Sequence, residues 1–417
     1  MKSKITTPEF KGALALITVL FFMWGLSYGL VDVLNKHFQE VLNVTKAQSG
    51  YIQFAYFGAY FVAAIPAALF MNRFGYKAGI ILGLCFFAGG AFLTIPAADQ
   101  GSFPFFLFSF FILALGLGAL ETAANPYATV LGPEESSAMR LNLAQCFNGV
   151  GQFLGPMLGG VMFYAAANSA DSGAAATGMA DLSAVKETYV GIGVVVTLLA
   201  LFIARTALPD IREKDSGGDK AETDSRPLVT HREFIWGVLA NFFYIAAQVG
   251  LAALFINLTV EYLPGATSQR GAFLLSVALG CFLLGRFVGT AAMTKVAPER
   301  LVAAYGIICA LLCVVVFMGI QYVSVVALIT CFFFMSIMFP TIFALGLRHL
   351  GSRTKIGSSC MIMSIVGGAL MPILMGAVAD TYGNTATAYG LPVFCFLFVA
   401  LYGQRYNRLC GQKSAAQ

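Results

Sequence analysis

Two acids stand inside runs that are otherwise apolar. Asp32 closes FFMWGLSYGLVD, and Glu121 lies in the middle of LGLGALETAANPYATVLG, residues 115–132. An ionised carboxylate near the centre of a bilayer costs about 2.5–3.5 kcal/mol on insertion scales, so each acid needs a use. Burial favours the neutral form of a carboxylic acid. A group of that kind can take a proton from one side of a membrane and release it on the other, which is the role expected for Glu121. Permanent pairing with a cation such as Arg286, in CFLLGRFVGT, is the alternative. Trp24, Tyr28 and Asp32 are spaced i, i+4 and i+8, so they share one helical face. An acid in line with two aromatics suits a sugar, whose apolar ring face stacks while its hydroxyls bond to the carboxylate. The alternative is that Asp32 marks the outer end of its helix and the two rings simply pack.

Amides supply the third feature. Asn142, Gln145, Asn148 and Gln152 recur at spacings of three, three and four, so all four line one face of a helix. Asn241, Tyr244 and Gln248 repeat the pattern later in the chain. An amide both donates and accepts, which matches an uncharged ligand rich in hydroxyls. Amides also bond one membrane helix to another. Two matching stripes favour a water-filled cavity, with one or two of the seven side chains serving as such interhelical bonds.

Long apolar elements must position these residues. Of 417 residues, 59% are hydrophobic and only 11% charged, and the mean hydropathy is +0.80. Soluble domains carry about 25% charged residues. Twelve apolar runs are long enough to cross a hydrocarbon core about 30 Å thick. They fall near 13–35, 48–71, 77–97, 103–127, 140–166, 188–206, 234–259, 270–293, 299–321, 323–346, 356–380 and 387–405. The runs are continuously apolar, which excludes the alternating pattern of a β-barrel. The first lacks a small-residue cleavage site and is expected to be a retained helix. Loop lysines and arginines concentrate on one side; only Lys36, Lys46, Lys186 and Arg270 fall on the other, so both termini are expected in the cytoplasm. The net charge of +5 reflects that bias and implies no nucleic-acid partner. Nine scattered cysteines read as small apolar residues, and three distant histidines suggest no metal site.

The runs divide into halves. Residues 209–232, PDIREKDSGGDKAETDSRPLVTHR, are the one long charged stretch and read as a cytoplasmic linker between bundles at 1–208 and 233–417. The Ala-, Gly- and Ser-rich segment 167–187 reads as an outer loop. A G-x-x-L-x-P-x-L-x-G pattern occurs at Gly151, Leu154, Pro156, Leu158 and Gly160, and again at Gly367, Leu370, Pro372, Leu374 and Gly376. One span earlier, PYATVLG is echoed by PTIFALG. Two matches in order argue for a duplicated six-helix unit, and parallel repeats of this kind suit alternating access around a central site. The fold class is therefore all-α and polytopic, with twelve transmembrane helices in two pseudo-symmetric six-helix bundles.

Two resemblances follow. MNRFGYKAG after the second run resembles the D-R-x-G-R-K signature of the major facilitator superfamily, with Asn72 where Asp is usual; a turn at Gly75 is its physical content. ETAANPYATVLGPEESS followed by RLNLAQCFNGVG resembles the bacterial fucose:proton symporter family, which includes glucose/galactose transporters. LLGRFVGT, APERLVAAY, FPTIFALGLRHLG and TKIGSS resemble the same family in the second half. The resemblance implies that Asp32 and Glu121 serve proton coupling and sugar binding, and that Trp24, Gln145 and Asn148 belong to the sugar cavity. Where the fucose symporter has N-N-L-N-D, this chain has Tyr28, Gly29, Leu30, Val31 and Asp32. Three amides are missing, so another aldohexose or an amino-sugar derivative is as good a candidate as L-fucose.

The expected function is import of a monosaccharide by proton symport across a bacterial inner membrane, by a monomer in the lipid bilayer that needs no cofactor. Sodium coupling through the two acids is the rival within that class. A proton-driven multidrug exporter would favour an apolar, aromatic cavity over amide stripes, and a sugar sensor would carry a larger soluble region. No His-rich metal motif, Ser–Lys pairing or Asp–Asp pair points to an enzyme.

Overall fold

The computed structural model describes residues 6–132, 137–164, 178–206, 228–293, 295–348, 350 and 354–410. Every regular element among them is helical. The first six long helices are α1 (Lys11–Val41), α2 (Lys46–Met71), α3 (Arg73–Asp99), α4 (Phe103–Val130), α5 (Ser137–Tyr164) and α6 (Gly178–Arg205). The second six are α7 (Arg232–Ala253), α8 (Ser268–Ala292), α9 (Pro298–Phe317), α10 (Gln321–Leu347), α11 (Ser359–Tyr382) and α12 (Thr385–Leu409). Eleven are long and apolar enough to cross a bilayer, and α5, at 28 residues, completes the twelve. Large apolar side chains such as Leu69, Leu198 and Phe394 lie exposed along the helices. In water such faces would aggregate; against lipid they are matched.

Contacts divide the chain into two units. Unit 1 comprises Met1–Val44, Phe54–Lys214 and Ser268–Ser276, and unit 2 comprises Thr45–Gln53, Asp215–Thr267 and Val277–Gln417. The break after Lys214 falls within the expected linker 209–232, of which 209–227 lie outside the described residues. The expected halves differ from the units by two short segments at the starts of α2 and α8. The first is held in unit 2 by polar bonds. Asp380 accepts from the backbone N–H groups of Lys46 (3.2 Å) and Ala47 (2.9 Å), while Lys46 Nζ donates to Glu261 (2.6 Å) and Thr385 (2.8 Å). A carboxylate on free N–H groups at a helix start is favourable on hydrogen-bonding and dipole grounds alike.

Unit 1 is organised around the seam between α1 and α5. Gly25 and Gly29 on α1 face Gly151 and Gly155 on α5, and a Cβ on Gly155 would meet the Cα of Gly29 at 2.7 Å. Small residues four apart let membrane helices approach this closely. The repeated Gly-Pro pattern has the same use in both units. Its first glycine, Gly151 or Gly367, lies against the backbone carbonyl of a phenylalanine on that unit's first span, Phe22 or Phe242 respectively.

One sequence expectation is corrected, and the structure adds detail at three spans. The segment 167–187 is not wholly a loop, because α6 begins at Gly178; GMADLSAVKE has no proline, and Lys186 in the first half of α6 pairs with Asp99 at 2.6 Å. Helix α1 runs on to Val41, so Asp32 stands within it rather than at its end. Spans ten and eleven are broken. Helix α10 is interrupted after Met335, just before Pro340, whose ring cannot donate to the preceding turn. Helix α11 contains a 3-10 turn at Ser364–Val366. The turn expected in MNRFGYKAG is present at Gly75, with φ 82° and ψ 169°, a backbone setting that favours glycine.

Candidate functional site

In unit 1, α1 carries Trp24, Tyr28 and Asp32 on one face as the spacing predicts. Asp32 is buried, at 2% exposure, while Trp24 and Tyr28 are half-buried. The Tyr28 ring meets two rings of α2 edge-on, Tyr56 at 6.3 Å and Phe57 at 6.0 Å. Trp24 leans on Phe21 at 5.7 Å. Glu121, on α4, is half-buried and retains accessible surface. No described cation of unit 1 forms an ion pair with it. Arg286, the alternative partner, lies in unit 2 with its guanidinium over the Phe282 ring at 4.8 Å.

The amides of α5 take different parts. Asn148 is buried against α1 and donates to the Phe21 carbonyl (3.1 Å), a bond that the glycine seam brings within reach. Its own carbonyl accepts from Gln152 (2.7 Å). Gln145 bridges weakly to Asn125 on α4 (3.4 Å). Gln145 and Gln152 are half-buried and keep capacity for a ligand. The side chain of Asn142 lies outside the described ones.

In unit 2 the stripe on α7 mends the broken helices. The Asn241 amide is fully buried and donates to the Met361 carbonyl (3.2 Å) and the Ser364 hydroxyl (2.8 Å), at the 3-10 turn of α11. Tyr244, also fully buried, donates to the Met335 carbonyl (2.8 Å), at the break in α10. Carbonyls freed where a membrane helix breaks must find a donor in protein, because lipid has none. Asn148, Asn241 and Tyr244 are therefore interhelical bonds in this structure rather than free faces of a cavity. Gln248 alone of the α7 stripe is half-buried without such a bond.

Sequence reasoning missed Tyr56 and Tyr60. They sit one turn apart on α2, with rings stacked at 5.6 Å and 26°. Gly118, one turn before Glu121, abuts Tyr60, so a Cβ there would meet the Tyr60 Cα at 3.3 Å. The available signal was two tyrosines at i, i+4 in the middle of a span, each with a hydroxyl that lipid cannot satisfy.

A family model of the Major Facilitator Superfamily matches residues 15–359. The chain belongs to the major facilitator superfamily. Within it, the chain groups with fucose:proton symporters and glucose/galactose transporters. It is 38% identical over 402 residues to the L-fucose-proton symporter of Escherichia coli (strain K12), covering 94% of this chain and 92% of that one. It is 35% identical over 404 residues to a glucose/galactose transporter of Brucella abortus biovar 1 (strain 9-941), covering 96% and 94%. The crystal structure of the transporter FucP in its outward conformation superposes with a TM-score of 0.70 at 38% identity, over 95% of this chain and 99% of that one. The D-xylose-proton symporter, at 13% identity and a TM-score of 0.73, shares the major facilitator fold alone.

Proposed function

We infer that this protein is a secondary active transporter, not an enzyme, which imports a monosaccharide together with a proton by alternating access. The observation that carries the reading is Glu121, an acid in mid-span that keeps accessible surface and has no described cation of its unit beside it. Such a group can exchange a proton with an aqueous path instead of being locked in an ion pair. The names of the relatives, L-fucose-proton symporter and glucose/galactose transporter, support the same reading.

In the cycle, Glu121 takes up a proton from outside and becomes neutral. Sugar hydroxyls bond Gln145 and Gln152, which keep amide groups free, while Trp24 or Tyr28 stacks on the ring face. Asp32 holds a sugar hydroxyl or a proton beside Tyr28. After the change of access, sugar leaves, Glu121 releases its proton to the cytoplasm, and the empty carrier returns. The protein works in the inner membrane with both termini cytoplasmic, needs only an ion gradient, and acts as a monomer. Three amides of the fucose symporter pattern are absent before Asp32, so D-galactose and D-glucose stand beside L-fucose as substrates.

The test is Glu121→Gln in proteoliposomes. The variant is expected to exchange sugar across the membrane at equilibrium yet fail to accumulate it against a gradient. Full accumulation by Glu121→Gln would refute the assignment.

A further inference from the structure

Between the two acids of unit 1 lies a set of buried hydroxyls that the transport cycle above does not use. Ser27 on α1 is 1% exposed, and Tyr56 and Tyr60 on α2 are 0% and 5% exposed. The Tyr56 hydroxyl faces those of Ser27 and Tyr60, and the Tyr60 hydroxyl also faces Trp24, yet none of the three completes a hydrogen bond of ordinary geometry with protein. An unpaired buried hydroxyl is costly, so one such group is a defect and three side by side are an arrangement. Packing fixes their order. Gly118 seats Tyr60 one turn from Glu121, and Tyr56, one turn back along α2, meets the ring of Tyr28, which stands one turn before Asp32 on α1.

We propose that Tyr56 and Tyr60, with Ser27, form a hydroxyl relay that carries the coupled proton between Asp32 and Glu121. The proposal rests on the proton-symport reading. In one transfer Asp32 gives up its carboxyl proton to the Tyr56 oxygen, directly or through Ser27 or a bridging water. Tyr56 passes its own hydroxyl proton to Tyr60, and Tyr60 passes its own to the Glu121 carboxylate. One O–H bond is lost at Asp32 and one gained at Glu121; both tyrosines end neutral, and rotation of their hydroxyls resets the relay. Nothing is oxidised or reduced. A hydroxyl suits this work because it donates and accepts at the same atom, which a phenylalanine of the same shape cannot do.

The test is the ratio of protons to sugar in proteoliposomes of the purified full-length protein. Radiolabelled D-galactose, D-glucose and L-fucose are followed together with external pH for wild type, Tyr56→Phe, Tyr60→Phe and Tyr402→Phe. Tyr402, in unit 2, is a buried tyrosine hydroxyl without a partner and serves as the control. The relay predicts that Tyr56→Phe and Tyr60→Phe keep sugar exchange, which shows that they fold, while protons moved per sugar fall about tenfold or more; Tyr402→Phe keeps the wild-type ratio. A merely structural loss would lower sugar and proton movement together and leave their ratio unchanged, which would overturn the relay. So would an unaltered ratio at full rate in both relay variants, with the symport reading intact. A wild-type protein that moves sugar without protons would overturn the symport reading, and the relay with it.

Discussion

Tyr244→Phe separates a helix-mending side chain from a sugar ligand. The substitution removes one oxygen and keeps the ring in its fully buried place on α7. What is lost is the 2.8 Å bond to the Met335 carbonyl, at the end of the first segment of α10. Interhelical hydrogen bonds in membranes average about 0.6 kcal/mol and reach about 1.7 kcal/mol. A buried carbonyl left without a donor costs about 1–3 kcal/mol. Met335 stands at a helix break with no water within the bilayer to replace the phenol, so the upper part of the first range applies, about 1–1.7 kcal/mol. Unfolding of the purified protein by SDS in mixed micelles measures the loss directly. The same preparation, reconstituted, should give a sugar KM within about twofold of wild type. Unchanged stability together with a KM raised about tenfold, equal to about 1.4 kcal/mol of binding, would show that the hydroxyl serves the sugar and not Met335.

Other consequences are as direct. Gly155→Leu would drive a side chain into the Cα of Gly29 and cost about 1–3 kcal/mol or block folding, whereas Gly89→Ala, with open space around it, should change stability by less than about 0.5 kcal/mol in the same SDS assay. Gln145→Ala should remove about 1 kcal/mol of sugar binding, raising KM about fivefold with little change in unfolding. Cys309, Cys313, Cys331 and Cys395 are buried and should resist maleimide in the folded protein and react only in SDS.

The helices were legible because a bilayer demands runs of about 20 apolar residues, and little else in the chain competes with that signal. The duplicated pattern also pointed to a shared geometry, since Gly151 and Gly367 pack on equivalent carbonyls. Pro340 marked a helix break in plain view, but the partner that repairs it did not. A stripe of Asn, Tyr and Gln at helical spacing looks the same whether it faces water or a neighbouring helix. Only the position of α10 and α11 against α7 assigns Asn241 and Tyr244 to interhelical bonding and leaves Gln248 free. Asn148 was similarly ambiguous until the glycine seam brought the Phe21 carbonyl to it. Tyr56 and Tyr60 escaped because aromatic residues are ordinary in a span, and a hydroxyl's want of a partner becomes visible only when its surroundings are known. The segment 178–187 read as a loop because small residues dominate its start, although Ala-rich sequence without proline is also compatible with helix.

The central claim is that sugar and a proton move together through a path that includes Glu121. The most direct measurement is external pH in a lightly buffered suspension of proteoliposomes, on addition of D-galactose, D-glucose or L-fucose, with and without Na⁺. The account predicts that at least one sugar draws protons inward and makes the medium alkaline, independently of Na⁺, and that Glu121→Gln abolishes the signal. Sugar uptake that requires Na⁺ and leaves the pH unchanged would contradict it.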